Sequence, residues 1–519
     1  MRRFLKAVIC SLALGIMILC FAWAALAVPS LEVKADGVNV DPGETRLVSS
    51  KTVSVSVYDS NGEAKTVYVN SKKAKSVAGE VYRWEIAYSL ATGKNDIKIV
   101  AQGAGDPVTF EFDIMYVTSP VPGLSYSVPS LPASGKIEAF NKALILTCPK
   151  NNILVDGNGN VWGDGPGEDL SVAFVVYQPA GKLSFATLAS PNIPFVVEIT
   201  ADAGAYLLQP GQLTLSYNSS VSSSVADQLA IWYSPDNDWG DSNNLILGGY
   251  VNTSKHTVTV PFQFSGSGIG YYAVFLAQRE FQEFTGASGA EVAWSYSCVM
   301  PLWAKGIIEQ LPLGRTDNSF GLTTSINRLE FATMMVRGLG LPLAKKPGST
   351  GEQIFNDGPF DGKYFYEALP EDISGSYFDN NYSTITGPNY RIYEGSRMPV
   401  QYVETAARNG IVAGYPDGSF GPEKGLKRQE AAVILTRAAN LKLSTDDEKV
   451  RQDLEKIFED ADSISLWAAP SVLAAQKAKL IVGKPGDDPK KLKFDPGGTL
   501  SRAEAITFTY RLMKKLKKI

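Results

Sequence analysis

The sequence predicts a multidomain protein in which two all-β modules precede an α-helical domain made of three repeats. In about the first 280 residues, short runs of alternating apolar and polar residues lie between turns rich in Gly, Pro and Asn, a pattern typical of β-sandwich strands. After about residue 288 the apolar residues recur every three or four positions, which is the spacing of helices. There, one arrangement of residues occurs three times, which indicates a tandem repeat.

The length and composition limit the possible functions. The chain has 519 residues, a formal net charge of −4 and 45% hydrophobic residues. Two to four globular domains are expected from that length, and neither a disordered chain nor a nucleic-acid-coating protein fits the composition. The only histidine, His256, argues against His-based triads and most zinc sites. No carboxylate pair stands out as a glycosidase site, so we predict no enzyme activity.

Residues 1–27 have the organisation of a signal peptide. A basic start precedes an apolar stretch at 12–21 and small residues at 25–27, so we expect the mature chain to begin near Val28. A membrane anchor is the alternative, and no later stretch is long and apolar enough to span a bilayer. The remaining cysteines, Cys148 and Cys298, fall in different predicted domains, and we expect buried free thiols rather than a disulfide.

Residues 28–118 predict a small β-sandwich. The run Thr52–Tyr58 alternates with period two, and Thr66–Val69 does so after a Ser-Asn-Gly turn, as half-buried strands do. From Trp84 to Ile97 the sequence reads W-x-x-x-Y-x-L-x-x-G-x-N-x-I, which resembles bacterial immunoglobulin-like surface modules. That resemblance implies a spacer or an adhesive unit.

Four prolines among serines predict a linker over 119–135, and a second β-sandwich follows over 136–281. The order of its strand motifs resembles a β module seen in surface proteins that carry the same C-terminal repeats. One of its loops leaves open a structural calcium ion held by carboxylate oxygens, with a plain surface loop as the alternative. We predict no other cofactor. The carboxylates of that loop are Asp236, Asp238 and Asp241.

The three repeats are predicted at 284–344, 396–443 and 455–519, with an irregular insert at 345–395. In each repeat a polar-Arg-x-Glu tetrad opens the second helix, and a phenylalanine lies eight residues before the tetrad arginine. The tetrads are Asn327-Arg328-Leu329-Glu330, Lys427-Arg428-Gln429-Glu430 and Ser501-Arg502-Ala503-Glu504.

Helix capping explains two of the four tetrad positions. A Ser or Asn followed three residues later by Glu forms a capping box, and Lys427 lacks the cap oxygen, which predicts a weaker helix start. The arginine is not explained, because the helix macrodipole disfavours a cation in the first turn by about 0.3–1 kcal/mol. A cation there in all three repeats predicts a bound anion, since the guanidinium fork matches a carboxylate. A purely structural ion pair is the alternative.

These repeats resemble S-layer homology motifs. The turn Gly410–Pro422, the tetrad Ser501–Glu504 and the leading Phe458-Glu459-Asp460 match that pattern best. The resemblance implies a pseudo-threefold helical domain that binds secondary cell-wall polysaccharide, commonly pyruvylated. Carried over by position, the resemblance implies that three arginines hold the carboxylate of the polymer. It implies that two tryptophans shape the sugar pocket, with packing in the protein core as the alternative. It also implies that two glycines let the backbone approach the ligand closely. These residues are Arg328, Arg428 and Arg502, Trp294 and Trp467, and Gly414 and Gly418.

The second repeat departs from the pattern, because Met398 replaces the tryptophan and Lys427 the cap residue, which puts its own groove in doubt. We expect a secreted protein of the cell wall or S-layer, anchored through the repeats, with the β modules displayed as lattice subunits or adhesive units. Self-association in a lattice is left open, and neither nucleic acid nor a membrane span in the mature chain is expected. The alternative is an anchored carbohydrate-active enzyme or carbohydrate-binding module in residues 136–281.

Overall fold

The computed structural model divides the chain into two compact units, Met1–Tyr126 and Ser127–Ile519. The predicted signal peptide, 1–27, lies outside the described residues. From residue 28 onward the structure describes the chain except for residues 129–130, 132–134, 150–153, 157–160, 162–170, 179–186, 189–195, 203, 240–243, 266, 279–280, 285–290, 309–319, 342–353 and 358–398.

The first unit consists of β-strands that form two five-stranded sheets. The sheet orders are β2-β1-β4-β8-β7 and β3-β10-β9-β5-β6. The strands are β1 (Leu31–Ala35), β2 (Val38–Val40), β3 (Thr45–Val48), β4 (Thr52–Asp59), β5 (Thr66–Val69), β6 (Lys72–Lys73), β7 (Lys75–Ser76), β8 (Arg83–Ser89), β9 (Gly93–Gln102) and β10 (Val108–Tyr116).

The alternation in the sequence sets the core of this unit. In β4 the valines at 53, 55 and 57 are fully buried and the residues between them face outward. Side chains on a strand point alternately to the two faces of its sheet, so the period-two pattern places one apolar row inward. The first predicted β module therefore has the expected strand character.

Asp59 ends β4 with a fully buried carboxylate. Its Oδ1 accepts the backbone N–H groups of Ser30 at 2.8 Å and Asn61 at 3.2 Å. Its Oδ2 accepts those of Glu63 and Ala64, both at 2.7 Å. One side chain therefore pairs four backbone donors where the chain turns after β4.

We predict that Asp59→Ala lowers the free energy of unfolding of this unit by about 2–4 kcal/mol, because buried donors lose their acceptor. Burial by itself raises the pKa of Asp59, but the four backbone hydrogen bonds together hold it below its ordinary value. The unfolded chain then binds the proton first, so this stability is present above the ordinary carboxyl pKa and is lost as the pH falls below about 4. Urea-dependent hydrogen exchange of the β4 amides in the full chain measures both effects.

Asp41→Ala is the control for this prediction, because Asp41 is exposed. Its effect on the same amides is expected to stay within about 0.5 kcal/mol. If the two variants destabilise β4 equally, the buried carboxylate is not the cause.

The second unit begins with further strands that form two main sheets. A five-stranded sheet has the order β12-β13-β19-β23-β22; in the other, β15, β17, β24, β20 and β21 pair in that order, and β16 also pairs with β24. The strands are β11 (Ser125–Val128, across the boundary between the units), β12 (Lys136–Ala139), β13 (Leu144–Thr147), β14 (Leu154–Val155), β15 (Val172–Tyr177), β16 (Thr187–Leu188), β17 (Val196–Ala201), β18 (Tyr206–Leu207), β19 (Gly211–Ser216), β20 (Leu229–Ser234), β21 (Leu245–Gly248), β22 (Tyr250–Asn252), β23 (Thr257–Phe262) and β24 (Ile269–Gln278).

These two sheets contact each other through β20 and β23 and through β19 and β24. A strand, β11, lies inside the predicted linker 119–135. Trp239 packs beside the second sheet, with its ring centroid 4.7 Å from that of Phe275. The prediction that β-strands fill the chain before the helical repeats is confirmed.

Seven α-helices are described in the remaining chain. They are α1 (Tyr296–Ala304), α2 (Arg328–Leu339), α3 (Pro399–Arg408), α4 (Arg428–Ala438), α5 (Asp447–Ile457), α6 (Ala469–Lys477) and α7 (Arg502–Lys515), and the short strands β25 (Lys484–Pro485) and β26 (Leu492–Lys493) form a hairpin between α6 and α7.

The helix that follows each tetrad packs on the first helix of the next repeat. Helix α2 contacts α3, α4 contacts α6, and α7 returns to contact α1. Buried apolar residues from all three repeats form one hydrophobic cluster. In the part of the chain that the structure describes, no helix is long and apolar enough to cross a membrane.

Candidate functional site

A pair of phenylalanine rings occupies the same place in each repeat. The second ring of each pair is the phenylalanine that precedes the tetrad arginine by eight residues. The first ring belongs to a Phe-x-acid triplet that starts the repeat: Phe-Gln-Glu, Phe-Asn-Asp and Phe-Glu-Asp. The ring centroids are 4.7, 5.3 and 5.3 Å apart in Phe281–Phe320, Phe355–Phe420 and Phe458–Phe494.

The acid of each triplet binds the backbone beside the second phenylalanine. Asp357 accepts the N–H groups of Phe420 and Gly421, both at 2.8 Å. Asp460 accepts those of Phe494 and Asp495 at 2.8 and 2.7 Å. In the first repeat a longer acid, Glu283, accepts the N–H groups of residues 320 and 322 instead. Each carboxylate therefore joins the start of its repeat to the turn before the tetrad.

These triplets change the extent of the first two repeats. Phe281 was expected to belong to the second β module, and Phe355 to the irregular insert, but both rings lie in the hydrophobic core of the helical repeats. The first repeat thus begins at about residue 281, and the second begins at about residue 355, before most of the insert. The sequence carries this signal, because the same triplet occurs three times, and its third copy, Phe458-Glu459-Asp460, belongs to the resemblance with S-layer homology motifs.

Each tetrad arginine is buried and reaches into the following repeat. Arg328 donates through Nε to the carbonyl of Phe420 at 2.9 Å, and Arg428 donates to that of Phe494 at 2.7 Å. In the third repeat the same bond returns to the first, from Arg502 to the carbonyl of residue 320 at 2.7 Å. The three arginine residues are 5%, 2% and 5% exposed.

The same arginines face the tetrad glutamate of the following repeat. The distance from Arg428 Nη1 to Glu504 Oε1 is 2.8 Å, and that from Arg502 Nη1 to Glu330 Oε1 is 2.6 Å. The third pair, Arg328 with Glu430, is longer at 3.8 Å. Burial lowers the pKa of Arg428, and the charge of Glu504 partly offsets that effect. The structural ion pair raised as an alternative for the arginines is thus present at each joint between repeats.

Backbone hydrogen bonds connect the three joints in a closed ring. The N–H of Leu426 donates to the carbonyl of Ile326 at 3.0 Å, the N–H of Leu500 to Leu426 at 2.9 Å, and the N–H of Ile326 to Leu500 at 3.0 Å. These residues lie two positions before the three tetrad arginines. The repeats therefore meet around one centre.

The caps of the three tetrad helices differ as the residue types predict. Asn327 Oδ1 accepts the N–H of Glu330 at 2.8 Å, and Ser501 Oγ accepts that of Glu504 at 3.2 Å. In all three repeats the glutamate also accepts the N–H of the cap residue. The ammonium of Lys427 has no acceptor to offer, so only the glutamate half of the capping box forms there.

The two predicted tryptophans lie on the surface rather than in the core. Trp294 is 54% exposed just before α1, and Trp467 is 59% exposed just before α6. Leu466 beside it is also exposed. The core-packing alternative therefore does not describe these rings. Met398, which replaces the tryptophan in the second repeat, lies outside the described residues.

The glycines of the second repeat permit a close approach within the chain itself. Gly418 has a φ of +81° and donates its N–H to the carbonyl of Tyr415 at 2.9 Å, which closes the turn. A Cβ on Gly414 would lie 2.7 Å from the carbonyl oxygen of Ser419 and 2.8 Å from the ring of Phe355. Both glycines thus let the turn pack against the start of its own repeat.

The loop considered for calcium is only partly described. Asp236 Oδ1 accepts the Ser234 hydroxyl at 3.1 Å and the N–H of Asp238 at 3.0 Å, and Asp241 lies outside the described residues. Within the described part of the chain, no group of three or more His, Cys, Asp or Glu residues is placed to hold a metal ion. Cys148 and Cys298 are buried free thiols, as expected, and burial raises the pKa of Cys148 to about 12.

Comparison with known proteins matches the second and third repeats to a family. The sequence profile of the S-layer homology domain matches residues 398–432 and 457–506. A cellulosome-anchoring protein of Acetivibrio thermocellus is 34% identical over 109 residues, which are 21% of this chain and 22% of that protein. An S-layer protein of Bacillus licheniformis is 31% identical over 110 residues, 21% of this chain and 11% of that protein.

A third relative is similar over a longer stretch. An amylopullulanase of Thermoanaerobacterium thermosulfurigenes is 24% identical over 326 residues, which are 62% of this chain and 14% of that protein. The chain spans less than a quarter of the length of each of these relatives. The chain therefore carries an S-layer homology domain and is a protein of the bacterial cell surface.

Proposed function

We propose that the chain is secreted and that its repeats, from about residue 281 to 519, bind secondary cell-wall polysaccharide and so anchor the β modules to the wall. The observation that carries this proposal is the set of three equivalent joints, each with a buried arginine bridge, in a region whose second and third repeats match the S-layer homology domain. The relative named as a cellulosome-anchoring protein supports the same role.

We also propose that the repeats form a pseudo-threefold domain. Three observations support this arrangement: the arginine contacts run from each repeat to the next and back to the first, the backbone bonds at 326, 426 and 500 close a ring, and the tetrad helices pack on the first helix of the following repeat. Grooves between neighbouring repeats are then the places where a polymer chain has access.

The exposed tryptophans are the side chains of the predicted set best placed to meet a sugar. An indole ring offers a large apolar face, and Trp294 and Trp467 both present more than half of their surface. That the arginines themselves hold a carboxylate of a pyruvylated polymer stays a prediction. Their burial and their bonds to carbonyls and glutamates favour a role in holding the joints together.

Co-sedimentation of the mature full chain with purified cell-wall polymer tests the anchoring proposal. The wild type is expected to bind, and the double variant Trp294→Ala, Trp467→Ala is expected to bind at least about tenfold more weakly, by loss of about 1.4 kcal/mol or more. Tyr58→Ala is the matched control, because it removes an exposed aromatic ring from the first unit. If the wild type fails to bind, or if the tryptophan variant binds equally well, the corresponding part of the proposal is wrong.

For the displayed region we propose a non-catalytic role, as a lattice subunit or an adhesive unit. Electron microscopy of the purified full chain tests the lattice, which would appear as two-dimensional arrays. The second candidate is a carbohydrate-active enzyme or carbohydrate-binding module in residues 136–281. The similarity to a protein named amylopullulanase supports this second candidate. Release of reducing ends from α- or β-glucans by the full chain would establish that the protein is an enzyme.

A further inference from the structure

The joint between the first and second repeats differs from the joint between the second and third in one aromatic residue. Tyr415 follows Gly414 in the second repeat, whereas Lys484 follows Gly483 at the same place in the third. The Tyr415 ring lies near two cations: Arg328 Cζ is 4.6 Å and Lys424 Nζ is 4.0 Å from its centroid. The Tyr415 hydroxyl donates to Glu430 Oε1 at 3.2 Å, which fixes the ring against the tetrad helix.

These two cations are not equally available. Arg328 is buried and donates to two backbone carbonyls of the second repeat. Lys424 is exposed, and no described carboxylate lies within 4.0 Å of its Nζ. The nearby Asp417 uses Oδ1 to accept the N–H and the hydroxyl of Ser419 at 2.9 and 2.7 Å. These hydrogen bonds are the main reason that the pKa of Asp417 lies below its ordinary value, and the charge of Lys424 adds a smaller effect. Among the described residues, the Lys424 ammonium is therefore held at an aromatic ring with no carboxylate in ion-pair contact.

The third repeat uses its cation differently. Lys484 Nζ lies 2.9 Å from Asp495 Oδ2 and 3.6 Å from Glu504 Oε1, so two carboxylates of its own surroundings compensate its charge. The positions that correspond to Lys424, four residues before each tetrad arginine, are Thr324 in the first repeat and Gly498 in the third. Among the described residues, this combination of a half-buried ring and an ammonium outside any ion pair occurs at the joint between the first and second repeats.

We propose that this joint is the anion-selective site of the domain and that Lys424 is the side chain that binds a charged group on a sugar of the wall polymer. The inference rests on the proposed function. It assigns the contact with the charged group of the polymer to Lys424 instead of the tetrad arginines. The Tyr415 ring keeps the ammonium in place by a cation–π contact, which reduces the side-chain entropy lost on binding. The second repeat, which lacks the tryptophan and the cap residue of the motif, then carries a working groove.

The test measures affinity of the mature full chain for purified wall polymer by titration calorimetry at low and moderate salt. Lys424→Met is expected to weaken binding about tenfold at low salt, since a hydrogen bond to a charged group contributes roughly that much, and to make binding less dependent on salt. Lys424→Arg, which keeps the charge, is expected to bind within about threefold of the wild type. Lys427→Met is the matched control, because Lys427 is an exposed lysine three residues away and is expected to bind like the wild type. Thermal unfolding of each variant checks that the fold is kept.

Two treated polymers identify the anion. If the anion is a carboxylate, the wild type and Lys424→Met are expected to bind carboxyl-reduced polymer equally well. If the anion is a phosphate, they are expected to bind dephosphorylated polymer equally well. Wild-type affinity for native polymer in Lys424→Met overturns this inference and leaves the anchoring proposal standing. Failure of the wild type to bind any polymer overturns both.

Discussion

Arg428→Ala is expected to lower the free energy of unfolding of the helical repeats by about 3–5 kcal/mol, the usual effect of removing one partner of a buried ion pair. The guanidinium is 2% exposed and donates to the carbonyls of Phe494 and Val482 at 2.7 and 3.3 Å. It also bridges to Glu504 at 2.8 Å. The truncated side chain removes the guanidinium donor from both carbonyls and leaves Glu504 Oε1 only the more distant Lys484 ammonium, at 3.6 Å, as a cationic partner.

Urea unfolding of the full chain, followed through hydrogen exchange of the α4 and α7 amides, measures this effect. Lys427→Ala is the control, because it is the neighbouring cation but is exposed, and it is expected to change stability by no more than about 0.5 kcal/mol. Similar stability of Arg428→Ala and the wild type would free the arginine for the ligand role that its helix position suggested. The result also governs binding experiments, since a triple arginine variant that unfolds says nothing about the polymer.

The second large effect is expected at Lys305, which joins the first repeat to the second β module. This lysine follows α1, is 1% exposed, and donates through Nζ to the carbonyls of Leu229 at 2.8 Å and Gly249 at 2.6 Å. Near it, Asp227 accepts hydrogen bonds from Lys514 and from the Tyr510 hydroxyl, both at 3.0 Å.

The charge of Lys305 makes the stability of this joint depend on pH. Burial lowers its pKa from 10.5 to about 7; Asp227 acts to raise it and Lys514 to lower it. Between pH 7 and 10.5 the unfolded chain therefore holds a proton that the folded chain has released, so stability rises with pH in that window. From pH 6 to pH 9 the gain is on the order of 3 kcal/mol.

The methionine of Lys305→Met fills a similar volume but carries no titrating group. The free energy of unfolding of this variant is therefore expected not to rise between pH 6 and pH 9 as that of the wild type does. The difference in unfolding free energy between wild type and variant, measured by urea unfolding at pH 6 and pH 9, should change by that amount. Lys255→Met, an exposed lysine in the turn between β22 and β23, supplies the control. Parallel pH profiles for the wild type and Lys305→Met would show that Lys305 does not change its protonation on folding.

Several features of the chain were readable from local sequence because local physics sets them. Period-two alternation placed the valines of β4 in the core, and the tetrads placed the starts of α2, α4 and α7 at the residue after each cap. The cap defect at Lys427 followed from its lack of an acceptor. The S-layer homology assignment also needed only spacing within the repeats.

The tertiary structure decided which repeat each residue serves. An arginine in the first turn of a helix indicates that a negatively charged partner lies nearby. Only the fold shows that this partner belongs to the next repeat, 76 residues away for Arg428 and Glu504. The start of the second repeat at Phe355 was hidden because a long insert separates it from the rest of that repeat. In the same way, only the folded chain brings Lys424 to the Tyr415 ring and Lys305 into the β module. The strands, the helices and their caps follow from the sequence alone, because they depend on near neighbours along the chain. The pairing of charges and rings across repeats depends on distances that are set by the packing of the folded chain.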